Sequence, residues 1–351
     1  MATFVMAGGG TGGHVMPALA VARELRTRGH AVRFIGTRRG LEAKLVPAEN
    51  FPIEWIEIGG LKRVGLRRTL AALGDLPWSV WEASRMLRRA APAAVFSTGG
   101  YVAGPVLLAA LWQRTPVAIM EPNAVPGFTH RRLAHFVARA LVSFPETERW
   151  FPQGRTEVTG LPVREEFFAI PLKPPGKPLT LLVTGGSQGS RTLNRAVEES
   201  WRLWPENAVR LIHQTGAAAY PGLAERSPFE VRAFIDEMPQ AYAQADLVVS
   251  RAGMSTVSEL AAAGKPSILV PLPTASDQHQ LRNAEAFEKA GAARMVLDND
   301  MTGARLTEEV MRLANDPEKL KSMGEAARAF AKPGAARRAA EILESLAASG
   351  H

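Results

Sequence analysis

Short apolar runs alternate with amphipathic stretches along the whole chain, the pattern of repeated parallel β/α units. In the first half, Thr3 to Ala7, Ala31 to Ile35, Ala94 to Ser97, Val117 to Met120 and Ala140 to Ser143 read as strands. In the second half, Leu179 to Thr184, Val209 to His213, Val231 to Ile235, Leu247 to Ser250, Ser267 to Val270 and Ala293 to Leu297 repeat the pattern. Helical periodicity fills the intervals, so both halves read as doubly wound α/β folds. The run PLKPPGKP, Pro171 to Pro178, forbids a helix and removes ladder donors, and it predicts a linker with the hinge at about residues 161–178. The predicted domains are 1–162 and 163–332. Pro333 and Gly334 break a helical run, and residues 333–351 form a tail expected to cross back onto the first domain.

Each half opens with a strand that empties into a glycine loop before a helix: GGGTGGHVMP after Ala7 and GGSQGS after Thr184. Such a loop offers backbone N–H groups and the positive end of a helix dipole, which suits an anion such as a diphosphate. Two of them, half a chain apart, predict twin nucleotide-type folds facing a shared cleft. Gly8, Gly10 and Gly13 also fit the dinucleotide fingerprint, whose usual companion is an acidic residue after the second strand. Gly36-Thr37-Arg38-Arg39 stands there instead and supplies no carboxylate, although its arginines suit a 2′-phosphate, so an NADP oxidoreductase stays open as an alternative.

Composition narrows the chemistry. The 351 residues are 46% hydrophobic and contain no cysteine, which excludes disulfides, thiolate metal sites and a cysteine nucleophile. The opening MATFVMAGGG lacks a charged leader, and no segment approaches the roughly 20 apolar residues of a membrane span, so a soluble or peripheral protein is expected. The net charge of +8 is concentrated. From Leu61 to Ala90 the chain carries Lys62, Arg63, Arg67, Arg68, Arg85, Arg88 and Arg89 among Leu66, Leu70, Leu73, Leu76, Trp78, Val80 and Trp81. Cations around exposed aromatics suit an anionic membrane surface, while an amphipathic helix packed on the sheet is the plainer reading. No nucleic-acid reading module accompanies the charge.

Several polar residues stand where strands end. His14 follows the first glycine loop just before Pro17, near a helix N-terminus whose dipole disfavours imidazolium, so a neutral general base is expected there, or a hydrogen-bonding or loop-bracing residue. SRAGMSTVSE, Ser250 to Glu259, has the form of an anion-binding turn: Ser255 and Thr256 suit a helix cap or a phosphate, and Glu259 both hydroxyls of a ribose. Asp277-Gln278-His279-Gln280 and Asn123 suit sugar hydroxyls or ordinary turn chemistry. Asp298-Asn299-Asp300 matches a short cation-binding signature of sugar transferases but reads as turn and helix-start residues, and no other cluster has metal-ligand spacing.

GGGTGGHVMP, STGGYVAGP, EPN, LPVR, TGGSQG, FIDEMPQAYAQADLVVSRAGMSTVSE and DQHQLRNA, in this order over essentially the whole chain, resemble the MurG family of transferases of lipid-linked peptidoglycan synthesis. The resemblance implies a GT-B fold of two Rossmann-like doubly wound parallel-sheet domains facing a cleft. It further implies inverting transfer of N-acetylglucosamine from UDP-GlcNAc to the 4-hydroxyl of undecaprenyl-pyrophosphoryl-N-acetylmuramyl pentapeptide (lipid I), forming a β1,4 bond at the cytoplasmic face of the cell membrane. By motif position it places donor contacts on Thr11, Gly12, Gly13, Asn123, Arg164 and Ser187. It also places Ile235 on uracil, Met254, Ser255, Thr256, Val257 and Ser258 on the phosphates, Glu259 on the ribose and Gln280 on the sugar. Pro122, Leu161 and His279 depart from the family's usual Gln, Asn and Gln. Helix N-termini can take the role of a metal on the departing diphosphate, so catalysis without metal or other cofactor is expected, with His14 as base and Glu121 as its alternative or orienting partner. A nonenzymatic nucleotide-sugar binding protein is the remaining alternative.

Overall fold

The computed structural model describes residues 1–58, 66–100, 102–225, 227, 229–275 and 278–349, with no side-chain description over 66–75. Lys62, Arg63, Tyr101 and Asp277 therefore lie outside the described residues, as do the side chains of Arg67 and Arg68. The chain divides into two compact units, Met1–Pro162 with Gly334–His351, and Val163–Pro333.

The first unit is built on β1 (Thr3–Gly8), β2 (Ala31–Gly36), β3 (Ile53–Trp55), β4 (Ala94–Gly99), β5 (Val117–Glu121), β6 (Arg139–Val142) and β7 (Thr156–Val158). All seven are parallel, in the order β3-β2-β1-β4-β5-β6-β7. Strand order reverses between β1 and β4, which makes their C-terminal ends the crevice where ligands bind in such sheets. The helices are α1 (Gly12–Thr27), α2 (Glu42–Ala48), α3 (Leu66–Ala90), α4 (Ala103–Trp112) and α5 (Phe128–Leu133). Val5, Ala7, Val95, Val117 and Ile119 pack against Leu87, Val106 and Leu107 to form a core. The terminal helix, Ala335–Ser349, joins this unit: its Glu344 accepts from Arg28 at 3.0 Å and from His30 at 2.8 Å, and Arg338 donates to Glu157 at 2.6 Å.

The second unit contains β8 (Leu179–Thr184), β9 (Val209–Gln214), β10 (Glu230–Arg232), β11 (Leu247–Ser250), β12 (Ser267–Leu269) and β13 (Ala293–Met295). These are parallel in the order β10-β9-β8-β11-β12-β13, with the reversal between β8 and β11. The helices needed below are α6 (Glu165–Phe168), α7 (Arg191–Ser200), α9 (Met238–Gln244), α10 (Met254–Ala263) and α11 (His279–Lys289); α8 (Tyr220–Ala224), α12 (Gly303–Ala314) and α13 (Pro317–Ala329) complete the unit.

The proline run proves not to be the connection. The boundary falls at Pro162, and residues 171–178 belong wholly to the second unit. Buried Asp246 explains this, because its Oδ2 accepts from the amides of Gly176 at 3.1 Å and Thr180 at 2.8 Å and so fastens the run to the foot of β11. Lys173 adds an ion pair at 3.3 Å to the same carboxylate. Among the described residues no helix is long and apolar enough to cross a membrane.

Candidate active site

At the tip of β1 the chain turns through Gly10, whose φ of +90° favours glycine. Directly beneath lies Glu42, at the start of α2 and 0% exposed. Its Oε2 accepts from the Gly10 amide at 2.8 Å, and its Oε1 accepts from the Thr37 amide at 3.0 Å and hydroxyl at 2.8 Å. A carboxylate engaged with the loop amide is ill suited to a diphosphate at that point. The dinucleotide reading of this loop is corrected accordingly: no carboxylate stands at the end of β2, and the one nearby, Glu42, is turned inward to brace the loop. Thr11, exposed and extended at φ −115°, ends the loop without a side-chain cap on α1, leaving the helix start at Gly12 and Gly13 to face outward.

His14 is locked to Thr98 of β4 by two hydrogen bonds of opposite sense. Its Nδ1 lies 2.7 Å from the Thr98 carbonyl, and the Thr98 hydroxyl donates to the His14 carbonyl at 2.7 Å. A carbonyl oxygen only accepts, so a hydrogen sits on Nδ1, and in a neutral ring this leaves Nε2 as the basic nitrogen. Gly8 makes this possible, since a methyl there would lie 2.1 Å from the Thr98 hydroxyl.

Glu121 departs from expectation. It is 2% exposed at the end of β5, and its Oε1 accepts from the Asn123 amide at 3.0 Å and from Asn123 Nδ2 at 3.1 Å. Its Oε2 accepts from the Gly127 amide at 3.1 Å and from His130 Nδ1 at 2.8 Å. Burial pushes this carboxyl up, and the hydrogen bonds and charge of His130 with the two amides outweigh it, holding the group below the usual carboxylate range. A low-pKa carboxylate filled by four donors is a poor base, and its imidazole partner is His130 rather than His14. Asn123 is drawn into the same turn.

In the second unit, the residues after β11 form a helix start of a different kind. Gly253 caps α10 with its backbone alone; no side chain caps it, so Ser255 and Thr256 are not the cap. The first amides of such a helix have no intrahelical acceptor and carry the positive end of its dipole. Val257 and Ser258 are buried, and the Val257 amide already donates to the Gly253 carbonyl at 3.0 Å, so the open amides are those of half-buried Met254, Ser255 and Thr256. Asn283 Nδ2 donates to the Ala252 carbonyl at 3.3 Å and helps hold the turn. Gln280, on α11, has its Oε1 accepting from the Leu272 amide at 3.0 Å, and its Nε2 lies 4.0 Å from where a side chain on Gly253 would begin.

Glu259 is one turn further along α10. Burial pushes its carboxyl up to about 7 against the opposing pull of the Arg164 guanidinium. Arg164 precedes α6 and lies 5.3 Å over the Phe167 ring. Ser187 is exposed in the GGSQGS turn. The Ser190 hydroxyl caps α7, and Gly189 presses on the Thr215 carbonyl so closely that a methyl would lie 1.8 Å from its oxygen. The Ile235 amide donates to Gln214 Oε1 at 2.8 Å, so of its backbone groups the amide is already committed. Asp298 is paired with Arg251 at 2.5 Å and accepts from the Thr192 hydroxyl at 3.1 Å. It belongs to a 3-10 turn, while Thr302 caps the following helix in place of the aspartates. Among the described residues no group of three or more His, Asp or Glu side chains is placed to hold a metal ion.

Glu42, Gln214, His130 and the exposed Phe234 beside Ile235 were not singled out by their sequence context. Glu42 and Gln214 act through backbone partners, and His130 through the side chains of Glu121 and Ser97, none of them adjacent in the chain. Phe234 lies in the quoted FIDEMPQ motif, where its neighbour drew the attention.

The glycosyltransferase family 28 N-terminal domain model matches residues 4–142, and the family 28 C-terminal domain model matches residues 180–339. A UDP-N-acetylglucosamine–N-acetylmuramyl-(pentapeptide) pyrophosphoryl-undecaprenol N-acetylglucosamine transferase of Solibacter usitatus is 58% identical, over 99% of this chain and 96% of its own length. The protein of the same name from Anaeromyxobacter dehalogenans strain 2CP-1 is 43% identical, over 97% and 92%. The crystal structure of Acinetobacter baumannii MurG superposes with a TM-score of 0.83 at 32% identity, covering 98% of this chain and all of that one.

Proposed function

The chain belongs to glycosyltransferase family 28, and from that membership we propose that it moves N-acetylglucosamine from UDP-GlcNAc to the 4-hydroxyl of undecaprenyl-pyrophosphoryl-N-acetylmuramyl pentapeptide in peptidoglycan synthesis. The observation that carries this reading is the 58% identity, across nearly both full lengths, to a transferase whose name states that reaction. Nothing found favours the oxidoreductase or the nonenzymatic binder, and the inward Glu42 carboxylate speaks against the former.

The chemistry follows from the two helix starts. In the second unit, the uncapped amides of α10 receive the diphosphate and stabilise the charge that develops on departing UDP. Glu259 accepts from the ribose hydroxyls, the Ile235 carbonyl accepts from uracil, and Gln280 meets the sugar. Arg164, Ser187, Thr11, Gly12, Gly13 and Asn123 are the further donor contacts that the family resemblance implies. The acceptor hydroxyl loses its proton to His14 Nε2 as its oxygen attacks the anomeric carbon. The sugar passes through an oxocarbenium-like state and emerges inverted, with UDP as the leaving group. The helix dipole supplies the positive charge otherwise expected of a metal, so turnover is expected to persist in chelator.

The acceptor's polyprenyl tail stays in the bilayer, so the enzyme works as a peripheral protein at the cytoplasmic face. The described part of α3 supports docking there. Ser79, Ala83 and Leu87 are buried against the unit, while Trp78 (60% exposed) and Trp81 (43%) stack at 4.7 Å on the outer face, with the Arg85 guanidinium 4.8 Å from the Trp81 ring centre. The packed and membrane-facing readings of this stretch thus describe two faces of one helix. Nucleic acid has no part in this reading.

Radiolabel transfer from UDP-GlcNAc and UDP-GalNAc, run in parallel onto a soluble analogue of the lipid acceptor, tests the assignment. Label is expected on the acceptor from UDP-GlcNAc and far less from UDP-GalNAc. No acceptor labelling from UDP-GlcNAc, with folded protein and intact acceptor, overturns it.

A further inference from the structure

Beneath His14 runs a buried chain of hydrogen bonds. The Gly99 amide donates to Ser97 Oγ at 3.1 Å, and Ser97 Oγ stands 3.4 Å from His130 Nε2. His130 Nδ1 lies 2.8 Å from Glu121 Oε2, which as a low-pKa carboxylate only accepts. A hydrogen is therefore on Nδ1. Ser97 Oγ, accepting from Gly99, joins the end of β4 to His130 Nε2. Ser97 is 0% exposed and His130 and Glu121 are each 2% exposed. The Ser-His-Glu sequence of groups resembles a nucleophilic triad, but a hydroxyl with no solvent access has no route to a substrate. What the chain does hold is the turn at the end of β4.

That turn carries the carbonyl on which His14 depends. Thr98, between Ser97 and Gly99, accepts from His14 Nδ1 at 2.7 Å. Gly99 has φ +96° and sits between the two imidazoles: a methyl on it would lie 3.2 Å from His14 Cε1 and 3.5 Å from His130 Cε1. The peptide plane between Thr98 and Gly99 is thus held through its N–H by Ser97 and through its C=O by His14. If the Ser97–Gly99 bond is lost, that plane is free to rotate and the Thr98 carbonyl leaves the His14 ring.

We propose that His130 is a positioning residue for the transfer reaction: anchored by Glu121 and acting through Ser97, it fixes the Thr98 carbonyl that keeps His14 in the Nδ1–H tautomer, with Nε2 as the basic nitrogen. This rests on the reading of His14 as the base, but it makes a claim about the resting protein that is measurable without turnover. Hydrogen bonding at one ring nitrogen sets the tautomer and the orientation of the other. In this arrangement Glu121 bears on His14 through three intervening groups rather than by contact.

The test uses the full chain labelled with nitrogen-15 histidine, its ring nitrogens read by long-range proton–nitrogen correlation at pH 8, and His14 assigned by comparison with His14→Gln. The parent is expected to show His14 as the Nδ1–H tautomer. Ser97→Ala and His130→Ala are expected to give a mixture of tautomers, with kcat lowered about 10-fold and the KM for UDP-GlcNAc within 2-fold. His130→Asn, which retains hydrogen-bonding groups near the ring, is the second variant should His130→Ala fail to fold. A His14 tautomer unchanged in folded Ser97→Ala and in whichever His130 variant folds overturns the proposal, as does an Nε2–H tautomer in the parent. A changed tautomer without any change in transfer would instead leave the chain in place and remove His14 as base, so the two failures are distinguishable.

Discussion

Gln214 Oε1 accepts the backbone amide of Ile235 at 2.8 Å, while its Nε2 donates to the Gly186 carbonyl at 3.0 Å and to the Thr184 hydroxyl at 3.1 Å. One amide, 1% exposed, therefore ties the end of β8 and the glycine turn after it to the segment assigned to uracil. Its orientation is fixed, because only Nε2 donates to the carbonyl and only Oε1 accepts the amide. Gln214→Met keeps the volume and leaves three buried polar groups without this partner, each such loss costing about 1–3 kcal/mol where water cannot compensate. The KM for UDP-GlcNAc is expected to rise about 10-fold or more with kcat little changed, since the uracil end is remote from the reacting carbon. Steady-state kinetics with varied donor checks this, and an unchanged KM in a folded variant contradicts it.

Gln214 also marks where sequence reasoning stopped. Strand periodicity located β8 and β11 to the residue and most other central strands to within one or two, because strands buried on both faces are written as continuous apolar runs. The edges β3 and β7 are three residues each, too short to show a period, while β10 and β13 end before the apolar runs that mark them. The motifs placed Gly253, Glu259 and Gln280 in one region of the second unit because each lies on or beside a strand-to-helix turn. Partnerships between distant residues were not legible. Nothing adjacent to Glu42 shows that its carboxylate turns under Gly10, and nothing in EPN shows that Glu121 faces His130. Such details depend on which backbone donors the finished fold leaves within reach.

His14 is the base in the proposed mechanism. With Nδ1–H committed to Thr98, Nε2 is the nitrogen through which the ring would take the proton. His14→Ala is expected to lower kcat by about 10²–10⁴-fold, the usual contribution of a positioned base, while UDP affinity measured by calorimetry stays within a few-fold. A variant that turns over normally removes the histidine from the mechanism. One that loses UDP affinity in proportion to kcat makes it a binding residue.

Glu259 predicts a pH dependence of known sign. Its folded-state carboxyl is raised from 4.5 to about 7, so between these values the folded chain keeps a proton that the unfolded chain has released. The stability from this group is complete below pH 4.5, falls as pH rises toward 7, and is flat above. Glu259→Gln, neutral at every pH, is expected to match the parent near pH 4.5 and to exceed it at pH 8 by about 1–3 kcal/mol, reduced from the full shift because the side chain retains some solvent contact. Urea unfolding of both proteins from pH 5 to 8 measures the difference. UDP affinity is expected to run the other way, strengthening from pH 6 to 8 as the carboxylate that accepts ribose hydroxyls forms. The Gln variant should lose that rise.

The outer face of α3 separates apolar insertion from electrostatic attraction. Trp78 and Trp81 are a stacked pair open to solvent, and Arg85 lies against the second ring. An indole can enter the headgroup layer while keeping its N–H hydrated, and each cation near an anionic surface contributes about 1 kcal/mol. Trp78→Ala with Trp81→Ala is expected to weaken binding to vesicles at any ionic strength, because the lost term is apolar. Charge reversal at Arg67, Arg68, Arg85 and Arg88 is expected to weaken binding to anionic vesicles at low salt and to matter little at high salt, where screening has already removed that term. Vesicle sedimentation at two salt concentrations, with anionic and neutral lipid, resolves the two contributions. Neither set touches the groups assigned to donor or base, so turnover of a soluble acceptor analogue should be retained in both while turnover of vesicle-borne acceptor falls. Unaltered vesicle binding in both sets places the docking surface elsewhere on the protein.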